Sequence, residues 1–230
     1  MKRPFSEFVL LLYAVPALLL VSLSVIVKKG DDVLFINGNN NVFLDSVFAL
    51  VTALGEGLLF LPVIVYCLFI QFRYSVLTGV VWAGHSLLCQ FIKRGIFNHV
   101  YRPVAILDKS KLHFVPHIEV HGLYSFPSGH TATIFCLAML IALMVQRKIP
   151  AVIFLIIALA VGYSRIYLLQ HFLMDVAGGA VIGVGFTYMI WRIFAQSKTP
   201  AWMNGALINP LTVLNKQFTS RKKDQKPAGI

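Results

Sequence analysis

The chain has 230 residues, of which 58% are hydrophobic and only 13% are charged, and its mean hydropathy is +0.78. Soluble globular domains carry about 25% charged residues, so this composition excludes the soluble classes and indicates an integral membrane protein. The net charge of +11 does not indicate a nucleic-acid-binding protein, because much of the excess lies at the ends of apolar segments and in the C-terminal tail, as expected beside anionic lipid headgroups.

Six apolar segments predict an all-α, polytopic membrane protein with six transmembrane helices, since each segment can cross a hydrocarbon layer of roughly 30 Å. The predicted spans are residues 8–27, 46–70, 74–92, 129–145, 149–168 and 171–194. The first span lacks a clear small-x-small cleavage site, which favours an uncleaved anchor over a signal peptide. Residues 28–44 are predicted to be a loop. No repeat or second soluble domain is evident, so residues 1–230 are interpreted as a single membrane domain.

Three cysteines, one histidine and one glutamate lie inside these apolar segments, and each kind of side chain is considered in turn. The cysteines are predicted to be core residues rather than disulfide or metal ligands: Cys67, Cys89 and Cys136. His85 is predicted to be an interior histidine with satisfied hydrogen bonds. Placing the Glu56 carboxylate in the hydrocarbon layer would cost free energy, so this side chain is expected to face the protein interior. It either pairs with a cation of a polar site or, as a protonated carboxyl group, forms a hydrogen bond between helices.

The longest polar interval covers residues 93–127 and contains Lys93, Arg94 and Arg102-Pro103. Alone, such cations are equally consistent with side chains that reach toward lipid headgroups. The same interval carries three histidines spaced by fours: His113, His117 and His121. This spacing can indicate zinc, but Pro116 interrupts a helix, and the polar residues from 117 to 121 alternate with apolar ones. We therefore predict a short strand that covers the site or contacts a lipid headgroup.

The fourth span begins with Pro127-Ser128-Gly129-His130. Ser128 is suited to cap the helix, and Gly129 lets the backbone approach a ligand. The free amides of the first helical turn can bind phosphate oxygens, while His130 can give or take a proton. Taken alone, the tetrapeptide is also an ordinary turn into a helix.

Residues 164–175 place Arg165, His171 and Asp175 where the last two apolar segments meet. His171 and Asp175 are four residues apart, so on a helix they share one face and the carboxylate can orient the imidazole ring. The other ring nitrogen is then free to act as a base or nucleophile, and Arg165 can bind an oxyanion. The pair alone is equally consistent with a structural hydrogen bond.

The order of the spans places residues 71–73, residues 146–148 and both termini on one membrane face, and all three polar clusters on the other. The first face is basic with almost no acids, which predicts that it is cytoplasmic and that the clusters are extracytoplasmic. The tail, residues 197–230, is predicted to be a basic cytoplasmic segment. Its apolar residues have the spacing of a short surface helix, although a solvated tail is the alternative: Leu211, Leu214 and Phe218.

Together the clusters resemble the type 2 phosphatidic acid phosphatase family, which shares a site with vanadium haloperoxidases. The second motif of that family is Pro-Ser-Gly-His and the third is Ser-Arg, five residues, His, three residues, Asp, and both match at residues 127–130 and 164–175. Its first motif is Lys, six residues, Arg-Pro. Here eight residues separate Lys93 from Arg102, and seven separate Arg94 from Arg102. A two-residue bulge after the helix would let Lys93 reach the site.

This resemblance implies that His171 attacks phosphorus to give a phosphohistidine, that Asp175 orients it, and that His130 protonates the leaving oxygen and later activates water. It implies no metal and no cofactor. The residues that would hold the nonreacting oxygens are Lys93, Arg102, Ser128, Gly129 and Arg165.

The resulting hypothesis is a phosphatase of the bacterial cytoplasmic (inner) membrane that hydrolyses a lipid phosphate or pyrophosphate, with a prenyl pyrophosphate or a phospholipid phosphate as substrate. Lipid A dephosphorylation is the alternative, and a transporter of anionic phosphates is a second class. The expected partners are the membrane and the lipid phosphate.

Overall fold

The computed structural model describes residues 3–207, and within that range the regular structure is entirely helical. The α-helices of this part are α1 (Arg3–Ile26), α2 (Asp31–Gly38), α3 (Val42–Ala53), α4 (Phe60–Ile70), α5 (Phe72–Phe91), α6 (Pro103–Ile106), α7 (Gly129–Val145), α8 (Lys148–Tyr167) and α9 (Leu173–Gln196). A 3₁₀ turn, Gly57–Leu59, precedes α4, and a π-helical turn, Ile92–Ile96, extends α5.

Four helical segments of the described part are long and apolar enough to cross a membrane: Pro4–Ile26, Phe72–Ile96, Lys148–Tyr167 and Leu173–Gln196. Helices α3 and α4 pass the same test only as a pair, which is bent by 55° at its break. Helix α7 has 17 residues and is shorter than these spans. The protein is therefore a multi-pass membrane protein with four or five spans by this measure. The bent α3–α4 pair and the short helix α7 account for the difference from the predicted six.

Helix α7 is the centre of the fold and packs against α1, α5, α8 and α9. Its residues 131–140 are all buried. A Cβ on Gly179 would lie 2.5 Å from the backbone oxygen of Ser128, and one on Gly183 would lie 2.8 Å from that of Ala132. Because these glycines lack side chains, α9 presses directly on the first turns of α7, which brings the second and third motifs together.

Several segments that were predicted to share one membrane face lie together at one end of the bundle. Phe72 N donates to Gly205 O at 2.9 Å. Lys148 Nζ lies 5.5 Å from the ring centroid of Phe8. The start of α1, the α4–α5 turn, the start of α8 and residues 201–207 therefore share this end, opposite the polar clusters. The predicted tail helix, with Leu211, Leu214 and Phe218, lies outside the described residues.

The prediction of a loop over residues 28–44 is wrong for residues 31–38, which form α2, and for residues 42–44, which begin α3. Asn37 is buried and donates to the backbone oxygens of His113 and Tyr167, both at 2.8 Å. Asp32 accepts from Leu173 N at 2.5 Å. These contacts, with residues far along the chain, hold α2 against the connection between α8 and α9.

The predicted strand over residues 117–121 is also wrong. His117 has a φ of 65°, and Ile118 N donates to Val115 O at 3.3 Å, so the chain turns there instead of extending. His113, which precedes this turn, donates from Nε2 to Asp45 Oδ2 at 2.9 Å. Among residues 3–207, no three His, Cys, Asp or Glu side chains lie close enough together to hold a metal ion.

The predictions for the three cysteines and for His85 are confirmed, whereas the prediction that Glu56 faces the protein interior is wrong, since its side chain is exposed. The three cysteines are buried. His85 is buried, and its Nδ1 and Nε2 lie 2.8 Å from Val81 O and 3.1 Å from Thr133 Oγ1.

Candidate active site

The connection between α8 and α9 positions His171. Gln170 N and His171 N both donate to Arg165 O, at 2.9 and 3.1 Å, which turns the chain back beneath the end of α8. Because α9 begins at Leu173, His171 precedes that helix. The prediction that His171 and Asp175 share a helix face is therefore wrong, and the connection itself brings the two side chains together.

His171 Nδ1 lies 3.5 Å from Asp175 Oδ2, and both residues are buried. The same carboxylate oxygen accepts from Phe172 N at 2.9 Å and from Ser125 Oγ at 2.5 Å. Asp175 thus caps its own helix while it faces the imidazole. Burial lowers the pKa of His171, and the neighbouring Asp175 acts in the opposite direction. The neutral imidazole that burial favours keeps a lone pair for nucleophilic attack.

The start of α7 is joined to this pair. Ser128 N donates to Asp175 O at 2.9 Å. Ser128 Oγ accepts from Thr131 N, as predicted for a helix cap, and also from Thr131 Oγ1 at 2.9 Å. A Cβ on Gly129 would have nothing within 4 Å, so the backbone is open to a ligand there.

His130 contacts Glu56 at the break between α3 and α4. His130 Nε2 lies 2.9 Å from Glu56 Oε1. Glu56 was predicted to pair either with a cation of the polar site or with another helix; its partner is instead the histidine of the second motif. Glu56 is half-exposed at the mouth of the site instead of being enclosed between helices.

Arg102 is held by two acceptors. Its Nε donates to Leu123 O at 2.9 Å, and its Nη1 donates to Gln170 Oε1 at 2.8 Å. Gln170 in turn donates to Glu119 O at 2.7 Å. Burial lowers the pKa of Arg102, and Asp175 acts in the opposite direction. Gln170 therefore connects the first motif to the third.

The π-helical turn Ile92–Ile96 carries both candidate cations of the first motif, Lys93 and Arg94. Such a turn inserts extra chain into a helix, which corresponds to the predicted bulge. Lys93 lies close enough to Arg102, Arg165 and Asp175 to experience their charges. Lys93, Arg94 and Arg102 also line a cavity of about 520 Å³. The rest of its lining is Gln90, His121, Gly122, Leu123 and Tyr124.

The cations of the site have no carboxylate partners. Within residues 3–207, each side-chain ion pair involves a histidine rather than a lysine or arginine. Arg165 is buried; its Nη1 donates to Thr52 Oγ1 at 2.6 Å, while its Nε has no hydrogen-bond partner. A buried guanidinium with a free donor is suited to bind an oxyanion, because its planar fork matches phosphate geometry.

A smaller, apolar cavity of about 250 Å³ adjoins Asp175. Its lining is Lys29, Phe97, Val100, Phe126, Phe172, Met174 and Asp175. The larger cavity is therefore lined by cations, and the smaller, apolar one reaches Asp175 of the buried pair.

Comparison with known proteins places this arrangement in a family. The model of the PAP2 superfamily matches residues 60–198, which is more than half of the chain and includes all three motifs. The chain belongs to the PAP2 superfamily. The family resemblance predicted from the motifs is confirmed.

The chain is similar to several bacterial proteins. The chain is 29% identical to phosphatidylglycerophosphatase B of Bacillus subtilis over 157 residues, which are 64% of this chain and 74% of that protein. It is 23% identical to lipid A 4′-phosphatase of Porphyromonas gingivalis, with 75% of each chain covered. The crystal structure of Aquifex aeolicus LpxE superposes with a TM-score of 0.61 at 25% identity, covering 69% of this chain and 91% of that one.

The structure adds three residues to the PAP2 motifs that the sequence did not indicate. Ser125 bonds Asp175, Gln170 bonds Arg102, and Thr52 bonds Arg165. Gln170 directly precedes the motif residue His171, so its position in the sequence could have indicated a role at the site. Thr52 is 113 residues from Arg165, and no local pattern connects the two.

Proposed function

We propose that this PAP2 protein is an integral membrane phosphatase that hydrolyses a lipid phosphate or pyrophosphate through a phosphohistidine intermediate. The observation that carries the proposal is the buried His171–Asp175 pair, joined to the start of α7 by the 2.9 Å bond from Ser128 N to Asp175 O. Cations without carboxylate partners surround that pair. The relatives named as lipid phosphatases support the same reaction class.

In the first step, His171 attacks phosphorus through Nε2, since Nδ1 faces Asp175. A P–N bond forms and the P–O bond to the lipid breaks. His130 donates a proton to the leaving oxygen. In the second step, His130 takes a proton from water, and the resulting hydroxide attacks phosphorus. The P–N bond then breaks, and its electron pair returns to His171.

The nonreacting phosphate oxygens would be held by Lys93, Arg102, Arg165, Ser128 and the amide of Gly129. These donors offset the charge of the transition state, which is the main requirement in phosphoryl transfer. Ser128 Oγ accepts twice from Thr131, so its own proton is available to a phosphate oxygen. The reaction requires no metal or cofactor in this scheme, since side chains supply the positive charge.

A prenyl pyrophosphate or a phospholipid phosphate is the favoured substrate. The cavity lined by Lys93, Arg94 and Arg102 has enough positive charge for a second phosphate. The apolar cavity beside Asp175 suits the first part of a hydrocarbon chain. Dephosphorylation of lipid A is the alternative, supported by the lipid A 4′-phosphatase relative. A transporter is disfavoured, because transport does not need a carboxylate-oriented histidine.

Purified protein in detergent is expected to release phosphate from lipid phosphates in the presence of excess EDTA. Lysine and arginine side chains supply the positive charge of the site, which, among the residues that the structure describes, lacks the clustered carboxylates that magnesium sites use. The measurement is phosphate release from a panel of prenyl pyrophosphate, phosphatidylglycerol phosphate, phosphatidate and lipid A.

Release in detergent also separates hydrolysis from transport, because no second compartment exists. A matched sample without EDTA is the control. Activity that disappears on chelation and returns with one divalent metal would contradict the proposed mechanism. Failure of every substrate would contradict the function.

The proposed arrangement in the inner membrane counts α7 as a sixth span, enclosed by the other helices. The polar clusters then face the extracytoplasmic side, and residues 197–230 form a basic cytoplasmic tail of the single membrane domain. Arg73, Arg147 and Lys148 lie at the end opposite the motifs, where acidic residues are sparse, and this supports the orientation.

This orientation predicts the labelling of single cysteines in a variant that lacks Cys67, Cys89 and Cys136. Ser110→Cys, at an exposed position in the loop after α6, is expected to react with a membrane-impermeant maleimide in intact spheroplasts. Ser220→Cys is expected to react only after lysis. The reverse pattern would place the site in the cytoplasm and leave only lipids of the inner leaflet as substrates.

A further inference from the structure

Glu56 lies where the α3–α4 span bends by 55°, directly before the 3₁₀ turn Gly57–Leu59. The adjacent Gly55 permits an unusually close contact: a Cβ at this position would lie 2.7 Å from Cβ of His130. The break in the span therefore presses against the start of α7. As a result, the Glu56 carboxylate meets an imidazole that is 74 residues away in the chain.

The groups that face His130 differ in charge. Glu56 Oε1 lies 2.9 Å from Nε2, whereas the charges of Arg165 on α8 and Lys93 on the π-helical turn act from the other elements. Both cations repel positive charge on the ring, and a protonated ring is the form that can donate a proton to a leaving group. A carboxylate at hydrogen-bond distance favours that form and also fixes the orientation of the ring.

We propose that Glu56 is a positioning residue for His130, which it holds through Nε2 so that Nδ1 is presented to the leaving oxygen. This inference rests on the proposed function, in which His130 is the acid. Glu56 is outside all three PAP2 motifs, and it would form a second carboxylate–histidine pair beside the pair of His171 and Asp175.

Protons are conserved in each step. When the P–O bond to the lipid breaks, its electron pair stays on the leaving oxygen, which takes the Nδ1 proton. His130 is then neutral and still donates Nε2–H to Glu56. In the second step, Nδ1 takes a proton from water while hydroxide bonds to phosphorus. The P–N bond to His171 breaks, and Glu56 again faces a positively charged ring.

The test compares Glu56→Gln with two reference variants. The amide keeps the shape of the side chain and one acceptor oxygen but removes the charge. Glu7→Gln is the matched control, because Glu7 is exposed at the opposite end of the bundle. His130→Ala is the reference for complete loss of the acid, which typically costs about 10²-fold to 10⁴-fold. Each protein is assayed on a lipid phosphate and on p-nitrophenyl phosphate.

For Glu56→Gln we expect kcat on the lipid phosphate to fall about 10-fold to 100-fold, less than for His130→Ala, with KM changed by less than about threefold. The loss on p-nitrophenyl phosphate is expected to be smaller for both variants, because p-nitrophenolate leaves without protonation. The alkaline limb of the kcat/KM profile is expected to move to lower pH by about one unit, since the carboxylate no longer favours the charged ring. Glu7→Gln is expected to match the wild type.

If Glu56→Gln loses equal activity on both substrates and its pH profile is unshifted, Glu56 has only a structural role and the inference is overturned. Wild-type activity of Glu56→Gln would also overturn it. If the glutamine variant does not fold, Glu56→Asp replaces it; a smaller shift of the same limb supports the inference, and an unchanged profile overturns it. A wild-type protein that releases no phosphate from any lipid would overturn the proposed function as well. If His171→Ala is inactive while Glu56→Gln has wild-type activity, only this inference is overturned, and the proposed function stands.

Discussion

Replacement of His171 by alanine is expected to lower kcat by about five orders of magnitude or more, because the variant lacks the atom that bonds to phosphorus. The buried position of His171 limits rescue by water, since its side chain is only 2% exposed. The measurement is phosphate release by purified protein in detergent. A rapid alkaline quench with a radiolabelled lipid phosphate is expected to trap phosphohistidine in the wild type and none in the variant.

His99→Ala is the matched control for this substitution. His99 is exposed, lies at the same end of the bundle and is outside the proposed machinery. It is expected to retain wild-type activity and labelling. A His171→Ala protein that keeps its thermal unfolding temperature and still releases phosphate at more than about one hundredth of the wild-type rate would exclude His171 as the nucleophile.

Asp175→Asn is expected to lower kcat by about 10³-fold with a small change in KM. The asparagine can still accept from Phe172 N or Ser125 Oγ, so the cap of α9 is largely preserved. It loses the negative charge that faces His171 Nδ1, and its amide can present a donor where that ring nitrogen needs an acceptor. Orientation of a catalytic histidine by a carboxylate typically contributes on this scale.

Asp31→Asn provides the control, because Asp31 is an exposed carboxylate in the first turn of α2 at the same end. It is expected to be fully active. Comparable unfolding temperatures for both variants would show that the loss is chemical. A fall in kcat of less than about threefold in Asp175→Asn would mean that Asp175 acts as a helix cap alone, and that the pair does not orient the nucleophile.

The sequence by itself determined the membrane class, most of the helical segments and the motif residues. The bounds predicted for α7 agree with those observed, and α8 differs from its prediction by one residue at each end. Such segments are predictable because the length of an apolar run and a capping residue such as Ser128 act locally along the chain. Family membership followed from the second and third motifs for the same reason, since their spacing is a property of the sequence.

Only the tertiary structure decided how these parts meet. Helix α2 lies in a polar stretch and is held by Asn37, whose partners are 76 and 130 residues away. The contact of His171 with Asp175 depends on the turn before α9 rather than on helical spacing. The Glu56–His130 pair depends on a bend in one span and on close backbone packing at Gly55. Each of these features is stabilised by packing between distant segments, and periodicity within one segment carries no information about such contacts.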